Sequence, residues 1–425
     1  MKVEKILERV YDRRRLRMSW KQVRSNDGAA GIDRMSVQEF ESRQGELLVL
    51  IAAKLRAGTY RFKPARRVLI DKPGRKEKRK LGIPAVMDRI VSQSMNLALE
   101  EFFGGQFTAS NFGFRRGKSQ HGAIRHVRRI VALGYAWCAS IDLKSFFDKI
   151  PHGLILRLIR RCIRDEQFVT LVARALKAGV VVDGTFERTL EGCPQGSPVS
   201  PMLSNIVLNE LDQELERRGH LYCRWADDFL IFLKSERAAQ RVMQSITRFL
   251  EEGLGLVVNQ DKSCVTPVKY ASFVSFQVWG GKIRISPKAR QRFQQKVREM
   301  TKRNNPLSMR QVIDQLNVYL EGWIGYFRIQ EYRTVLRPLD EFIRKRLRSM
   351  QLKKWKRPKK FQRMMIRLAG YSPQEACRTW VQMGKWHSIH RPVVRFTLRN
   401  RWFRRQGLIF LDDYAPRTSE LPFGR

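Results

Sequence analysis

Two short apolar runs, Leu221–Trp225 and Phe229–Leu233, lie either side of Ala226-Asp227-Asp228. Each run is rich in aromatic and aliphatic residues, which predicts strand, tight turn, strand, with both carboxylates at the tip. An Asp-Asp pair at a turn is ordinarily just solvated. Here a third carboxylate, Asp142, sits near the end of another apolar run, Tyr135–Leu143. Taken alone, Asp142-Leu143-Lys144-Ser145 also suits a helix N-cap. Two strand-end carboxylate sites favour a shared edge of one sheet instead. Three carboxylates there would offer the oxygen ligands that hard divalent cations require.

Charge supplies the substrate class. The chain has 425 residues, 83 Lys and Arg against 40 Asp and Glu, and a net charge of +43. Such an excess repels itself unless a polyanion neutralises it, and nucleic acid is the obvious one. No stretch approaches the ~20 apolar residues of a membrane span, and Met1–Lys5 lacks the apolar core of a signal peptide. The six cysteines form no Cys-x-x-Cys pair, so neither a zinc site nor a disulfide framework is implied. A cytoplasmic protein fits, in the bacterial cytoplasm or nucleoid.

Local patterns give an α+β chain to about residue 285 and helix afterwards. Residues 1–24 look helical and basic, and 26–33 form a turn-rich loop. Ser36 and Glu39 suggest a capping box, as do Ser308 and Gln311. Val68–Ile70 and Lys78–Ile83 predict a basic hairpin. Helices are expected at 86–104, 200–218 and 236–252, and residues 152–178 are expected to be mostly helical. A hairpin is expected at Val180–Leu190, turning at Asp183-Gly184. The segment Gly192–Pro201 is a rigid helix-entry loop. Val312, Leu316, Leu320, Trp323 and Phe327 share one helical stripe. Residues 351–410 hold 16 Lys or Arg and a single acid, Glu375, with Trp355, Trp380, Trp386 and Trp402 among them. Aromatics beside cations suit nucleic-acid contact, although most of these tryptophans are expected in the core.

Three blocks in order resemble reverse transcriptases: Ser140-Ile141-Asp142-Leu143-Lys144-Ser145-Phe146-Phe147-Asp148, Pro194-Gln195-Gly196-Ser197-Pro198, and Trp225-Ala226-Asp227-Asp228. Finer blocks resemble the group II intron reverse transcriptase/maturase family. They are the 26–33 loop, Leu81-Gly82-Ile83-Pro84 with Asp88-Arg89, Asn111-Phe112-Gly113-Phe114-Arg115, and Gly322-Trp323-Ile324-Gly325-Tyr326-Phe327. The resemblance runs from about residue 20 to 412. It implies a right-hand polymerase, with fingers and an antiparallel palm sheet, then an all-α thumb/maturase domain and a small basic C-terminal region. The implied divisions are 1–60 (N-terminal extension), 61–285 (fingers and palm), 286–360 (thumb/maturase) and 361–425 (DNA-binding). A compact form without an endonuclease domain is also implied.

The resemblance further implies roles. Asp142, Asp227 and Asp228 would be catalytic and hold two Mg²⁺ ions, with Mn²⁺ as a substitute. Lys72 and Arg79 would clamp the triphosphate, Phe147 would be the steric gate against a ribose 2′-hydroxyl, and Gln195 and Lys262 would lie near the incoming nucleotide. Trp225, the Phe273-Val274-Ser275-Phe276 grip, and Gly28 and Gly31 in a lid loop would face primer or template. Partners would be template RNA, intron RNA, a DNA primer or target, and dNTPs, in splicing and retrohoming. The alternatives are a domesticated enzyme of DNA repair or phage defence and a non-catalytic RNA-binding splicing factor. Three positions depart from the family pattern: Trp225 for tyrosine, Ser275 (after Val274) for glycine, and Ser197 for a second glycine.

Overall fold

A computed structural model describes residues 3–71, 78–355, 357–379 and 386–414. The chain divides into two compact units, Met1–Ala271 and Ser272–Arg425. Ten strands occur among the described residues: β1 (Ala65–Asp71), β2 (Lys78–Ile83), β3 (Trp137–Ile141), β4 (Val180–Val182), β5 (Thr185–Glu187), β6 (Leu221–Trp225), β7 (Asp228–Leu233), β8 (Cys264–Pro267), β9 (Phe276–Trp279) and β10 (Lys282–Ile285).

The first unit holds two sheets. One, ordered β2-β1-β4-β5, contains the basic hairpin β1–β2, which pairs Leu69 with Lys80 and Ile70 with Arg79. The β4–β5 hairpin turns at Asp183 and Gly184, both at positive φ, as a two-residue turn between twisted strands requires. The other sheet, β6-β7-β3-β8, is antiparallel throughout. In β7 the run Phe229–Leu233 is buried without alternation, because both sheet faces are covered. The helix Glu236–Arg248 packs on β3 and β7, while Gln120–Ala132 and Ser200–Arg217 pack against β6.

The apolar core joins this sheet to the N-terminal helices. Leu16, Trp20 and Val23 bury one stripe of Arg13–Ser25, and this helix packs on Val86–Phe103. Spacings of four and three put the stripe on one face and leave Arg13, Arg14 and Arg17 outside.

Several elements differ in detail from the sequence expectation. The third strand is shorter than Tyr135–Leu143, so Asp142 stands one residue beyond its end. Ser36 caps its helix by accepting from the Glu39 N–H, but the reciprocal Glu39 side-chain bond of a capping box is not formed. The mostly helical stretch 152–178 is, as expected, helical, in two pieces, His152–Cys162 and Glu166–Leu176. The helix after Glu236 finishes in a π-turn, Phe249–Gly253.

In the second unit the β9–β10 hairpin turns at Gly280-Gly281. Helices Pro287–Met300, Met309–Phe327 and Arg333–Trp355 follow. Ser308 and Gln311 form the full reciprocal cap. The apolar stripe packs as expected, with Trp323 against Phe293 and Phe327, each at 4.5 Å between ring centres. Trp355 is buried and Trp402 is half-buried. Trp380 and the side chain of Trp386 lie outside the described residues. No helix among the described residues is long and apolar enough to cross a membrane.

Candidate active site

Strand register places the aspartates. Ile141 pairs with Phe229 and Trp225 pairs with Asp228. Asp142, one step past Ile141, therefore comes alongside Asp228, and Asp227 occupies the adjoining turn. The Asp142 carboxylate does not cap a helix. Its Oδ2 accepts from Asn259 Nδ2 at 3.1 Å and Lys262 Nζ at 3.3 Å, and its backbone N–H donates to Ser263 Oγ.

The site carries electrostatic tension. Burial raises the Asp227 carboxyl; its own N–H pulls back, Asp142 pushes further, and Arg224 and Arg79 oppose the rise. Burial pushes Asp228 up to about 7, with Asp227 and then Asp142 adding repulsion. Asp228 is nonetheless exposed at the strand end. A divalent cation is the natural counter-charge for such a cluster, and the donors are all oxygen. Convergence is incomplete, however. Among the described residues no three acidic side chains close on one metal position, and Asp142 meets Lys262 and Asn259.

The turn itself is strained and clamped. Ala226 has φ +56°, a conformation usually left to glycine. Its carbonyl accepts from Arg224 Nη1 at 2.9 Å. Arg224 is fully buried and forks onto Asp212, also fully buried, while Nη1 further reaches Asn205 Oδ1 at 2.9 Å. Asn205 Nδ2 donates to the Gly113 carbonyl at 2.9 Å. Gly113 lies so close that a Cβ there would come 2.1 Å from the Ala226 nitrogen. Phe112 N–H donates to the Arg224 carbonyl at 2.9 Å, and Arg224 N–H donates to Ser110 at 3.0 Å. Segment 110–113 is thus stitched to the strand that delivers the aspartates.

Sequence reasoning missed Arg224, Asp212 and Asn205. One signal was available. In helix Ser200–Arg217, Asn205 and Asp212 occupy the same buried face as Leu208 and Leu215, and a polar group on an apolar stripe needs a buried partner.

The other anticipated residues fall as follows. Arg79, on β2, lowers the Asp227 carboxyl across the cleft, while Lys72 lies outside the described residues. The Phe147 ring is half-buried, edge-on to Phe146 at 5.5 Å and Phe114 at 6.4 Å. Gln195 Nε2 donates to Asp148 Oδ1 at 3.0 Å, and its carbonyl accepts from Gly82 at 2.7 Å. A Cβ on Gly196 would sit 2.1 Å from the Gly82 oxygen, so the Pro-Gln-Gly loop lies directly against β2. Trp225 ends β6, half-buried.

Gly28 and Gly31 have packing reasons. A Cβ on Gly31 would meet the Ala85 backbone at 2.6 Å, and one on Gly28 would meet Arg89 at 2.9 Å. Arg89 and Arg66 pin the loop by donating to the Ala29 and Ala30 carbonyls. In the second unit, Phe273 and Phe276 exchange backbone hydrogen bonds around Val274 and Ser275, at φ +43° and +71°. Tyr326 Oη donates to the Val274 carbonyl at 2.7 Å, and Arg292 Nη2 donates to Ser275 Oγ at 3.2 Å.

Residues 70–278 match the family described as reverse transcriptase (RNA-dependent DNA polymerase), and 290–368 match the group II intron, maturase-specific domain. The chain belongs to the group II intron reverse transcriptase/maturase family. Protein YkfC of Escherichia coli (strain K12) is 34% identical over 276 residues, 56% of this chain and 72% of that protein. The group II intron-encoded protein LtrA of Lactococcus lactis subsp. cremoris is 35% identical over 168 residues, 40% of this chain and 28% of LtrA. The putative COX1/OXI3 intron 1 protein of Saccharomyces cerevisiae is 37% identical over 173 residues, 40% of this chain and 20% of that protein. The matches to both intron proteins thus span under a third of their length. Family membership makes the chain an RNA-directed DNA polymerase, an activity that in this family uses divalent metal ions.

Proposed function

We propose that the chain extends a DNA primer on an RNA template by two-metal phosphoryl transfer at Asp142, Asp227 and Asp228, and that it binds intron RNA to assist splicing and retrohoming. The observation that carries the catalytic part is the register Ile141–Phe229 and Trp225–Asp228, which brings three carboxylates to one sheet edge. Bound there, two Mg²⁺ ions supply a lowered pKa for the primer 3′-hydroxyl and charge neutralisation at the leaving pyrophosphate. Asp142 would hold metal in place of its Lys262 contact, and Lys262 would then be available to phosphate. Arg79 offers a second cation to the triphosphate. Phe147, wedged by Phe114 and Phe146, excludes a 2′-hydroxyl. The basic surface holds template RNA, intron RNA and target DNA through phosphates, and the work is cytoplasmic.

The test is extension of oligo-dT on poly-rA by the purified chain with Mg²⁺, abolished by Asp228→Ala. No extension with either Mg²⁺ or Mn²⁺ would sink the polymerase assignment. Phe147→Ala is expected to admit ribonucleotides, and unchanged sugar selectivity would remove Phe147 from the gate.

A further inference from the structure

The second unit contains a cavity of about 310 Å³ that the polymerase chemistry does not use. Its walls come from β10, the first turns of helix Pro287–Met300, and the start of helix Arg333–Trp355. Arg284 and Arg290 both line it, with Gln291, Gln294, Thr334 and Pro338. Among the described residues neither arginine pairs with a carboxylate. The nearby Glu331 accepts from the Ile283 N–H at 2.6 Å. The Nε of each arginine is buried and unpaired, which is costly for a cationic donor.

Aromatic rings hold the first guanidinium in place of an acid. Arg284 Cζ lies 5.6 Å from the Trp279 ring and 6.0 Å from the Tyr332 ring. Those rings are clipped together by Tyr332 Oη donating to the Trp279 carbonyl at 2.6 Å. A guanidinium held by ring faces keeps its N–H edge for an anion. Burial, and then repulsion from Arg284, disfavours the charge on Arg290. Two like charges left together without an acid define a position for a tetrahedral oxyanion.

The rest of the cavity favours a nucleotide over a bare ion. Val335, Pro338 and Leu339 form an apolar wall. Pro338, within its helix, has no N–H for the Thr334 carbonyl one turn back, which leaves an acceptor suited to a ribose hydroxyl. We propose that this cavity binds one phosphodiester of an RNA strand, its phosphate between Arg284 and Arg290 and its ribose against Pro338 and Leu339. The proposal rests on reading the chain as an RNA-binding polymerase.

Binding of a labelled single-stranded RNA to the whole chain, measured across a salt series, tests it. Arg284→Gln with Arg290→Gln is expected to weaken binding by roughly 10-fold, as lost charge-assisted bonds would. The log–log salt slope should fall by ~0.7, the share of one single-strand phosphate. The melting temperature without RNA should hold or rise, because a repulsion has been removed. Gln294→Glu keeps both arginines and supplies a fixed carboxylate. It should raise the melting temperature and weaken RNA binding as well, which covers the case of a double variant that folds poorly. Unchanged affinity and slope in both variants would overturn the site. Loss of pyrophosphate-induced thermal stabilisation with RNA binding intact would replace the RNA strand by a small anion and overturn the proposal. Equal losses for DNA of the same sequence would overturn the choice of RNA. Extension of a pre-annealed primer is run in parallel. A wild-type chain that shows the salt effect but no extension refutes the polymerase reading and leaves the cavity standing.

Discussion

Arg224→Met is the most informative perturbation of the active-site scaffold. Arg224 and Asp212 are both fully buried, and the arginine donates to Asp212 twice, to Asn205 and to the Ala226 carbonyl. Removing it leaves a carboxylate in a dry interior without its counter-charge. Breaking such a pair from one side costs about 3–5 kcal/mol. For a unit of this size each kcal/mol lowers the melting temperature by roughly 2–4 °C, so a drop of roughly 10 °C is expected. Asp212→Leu added to Arg224→Met removes both charges and should return most of the lost stability. Activity should not return with it, because the Ala226 carbonyl still lacks the donor that holds the Asp227-Asp228 turn. Urea unfolding and primer extension on the single and double variants separate the two effects. A single-variant cost under about 1 kcal/mol, or full extension by the double variant, would refute the positioning argument.

Three further outcomes are expected. Gly113→Ala drives a methyl into the Ala226 backbone, 2.1 Å away, and should lower kcat for extension about 100-fold, the cost of a displacement near 1 Å. The buried Asp88 carboxyl is pushed by burial to about 6, against an ordinary 3.8. The folded state therefore binds the extra proton, and stability falls as pH rises from about 4 to 6, by about 3 kcal/mol in all; Asp88→Asn should flatten that slope in melts taken between the two pH values. Val274→Asn puts a residue that tolerates the left-handed region where a β-branched one stands at φ +43°, and should raise the melting temperature by a few degrees, about 1 kcal/mol.

Features that depend on neighbours along the chain are legible in its sequence. The Asp227-Asp228 turn between two apolar runs, the Ser308–Gln311 cap and the Val312–Phe327 stripe are local patterns, and each is present. Glu39 shows the limit of such patterns: the spacing for a capping box is there, yet only the Ser36 half forms. Asp142 shows another, since the same four residues permit a helix cap or a strand-end ligand, and only pairing with β7 and β8 excludes the cap.

Residue order carries the chemistry available: three carboxylates, a large basic excess, and apolar runs suited to strands. How that chemistry is held follows only from folding. Asp212, Asn205 and Gly113 are 12, 19 and 111 residues from Arg224 in sequence, yet they join it in one buried network under the aspartates. Pairing between distant polar groups follows from which helices cover which sheet face, and local propensity has no access to that. For the same reason Arg284 and Arg290 look like two cations among 83 until the fold leaves them side by side with no acid between them.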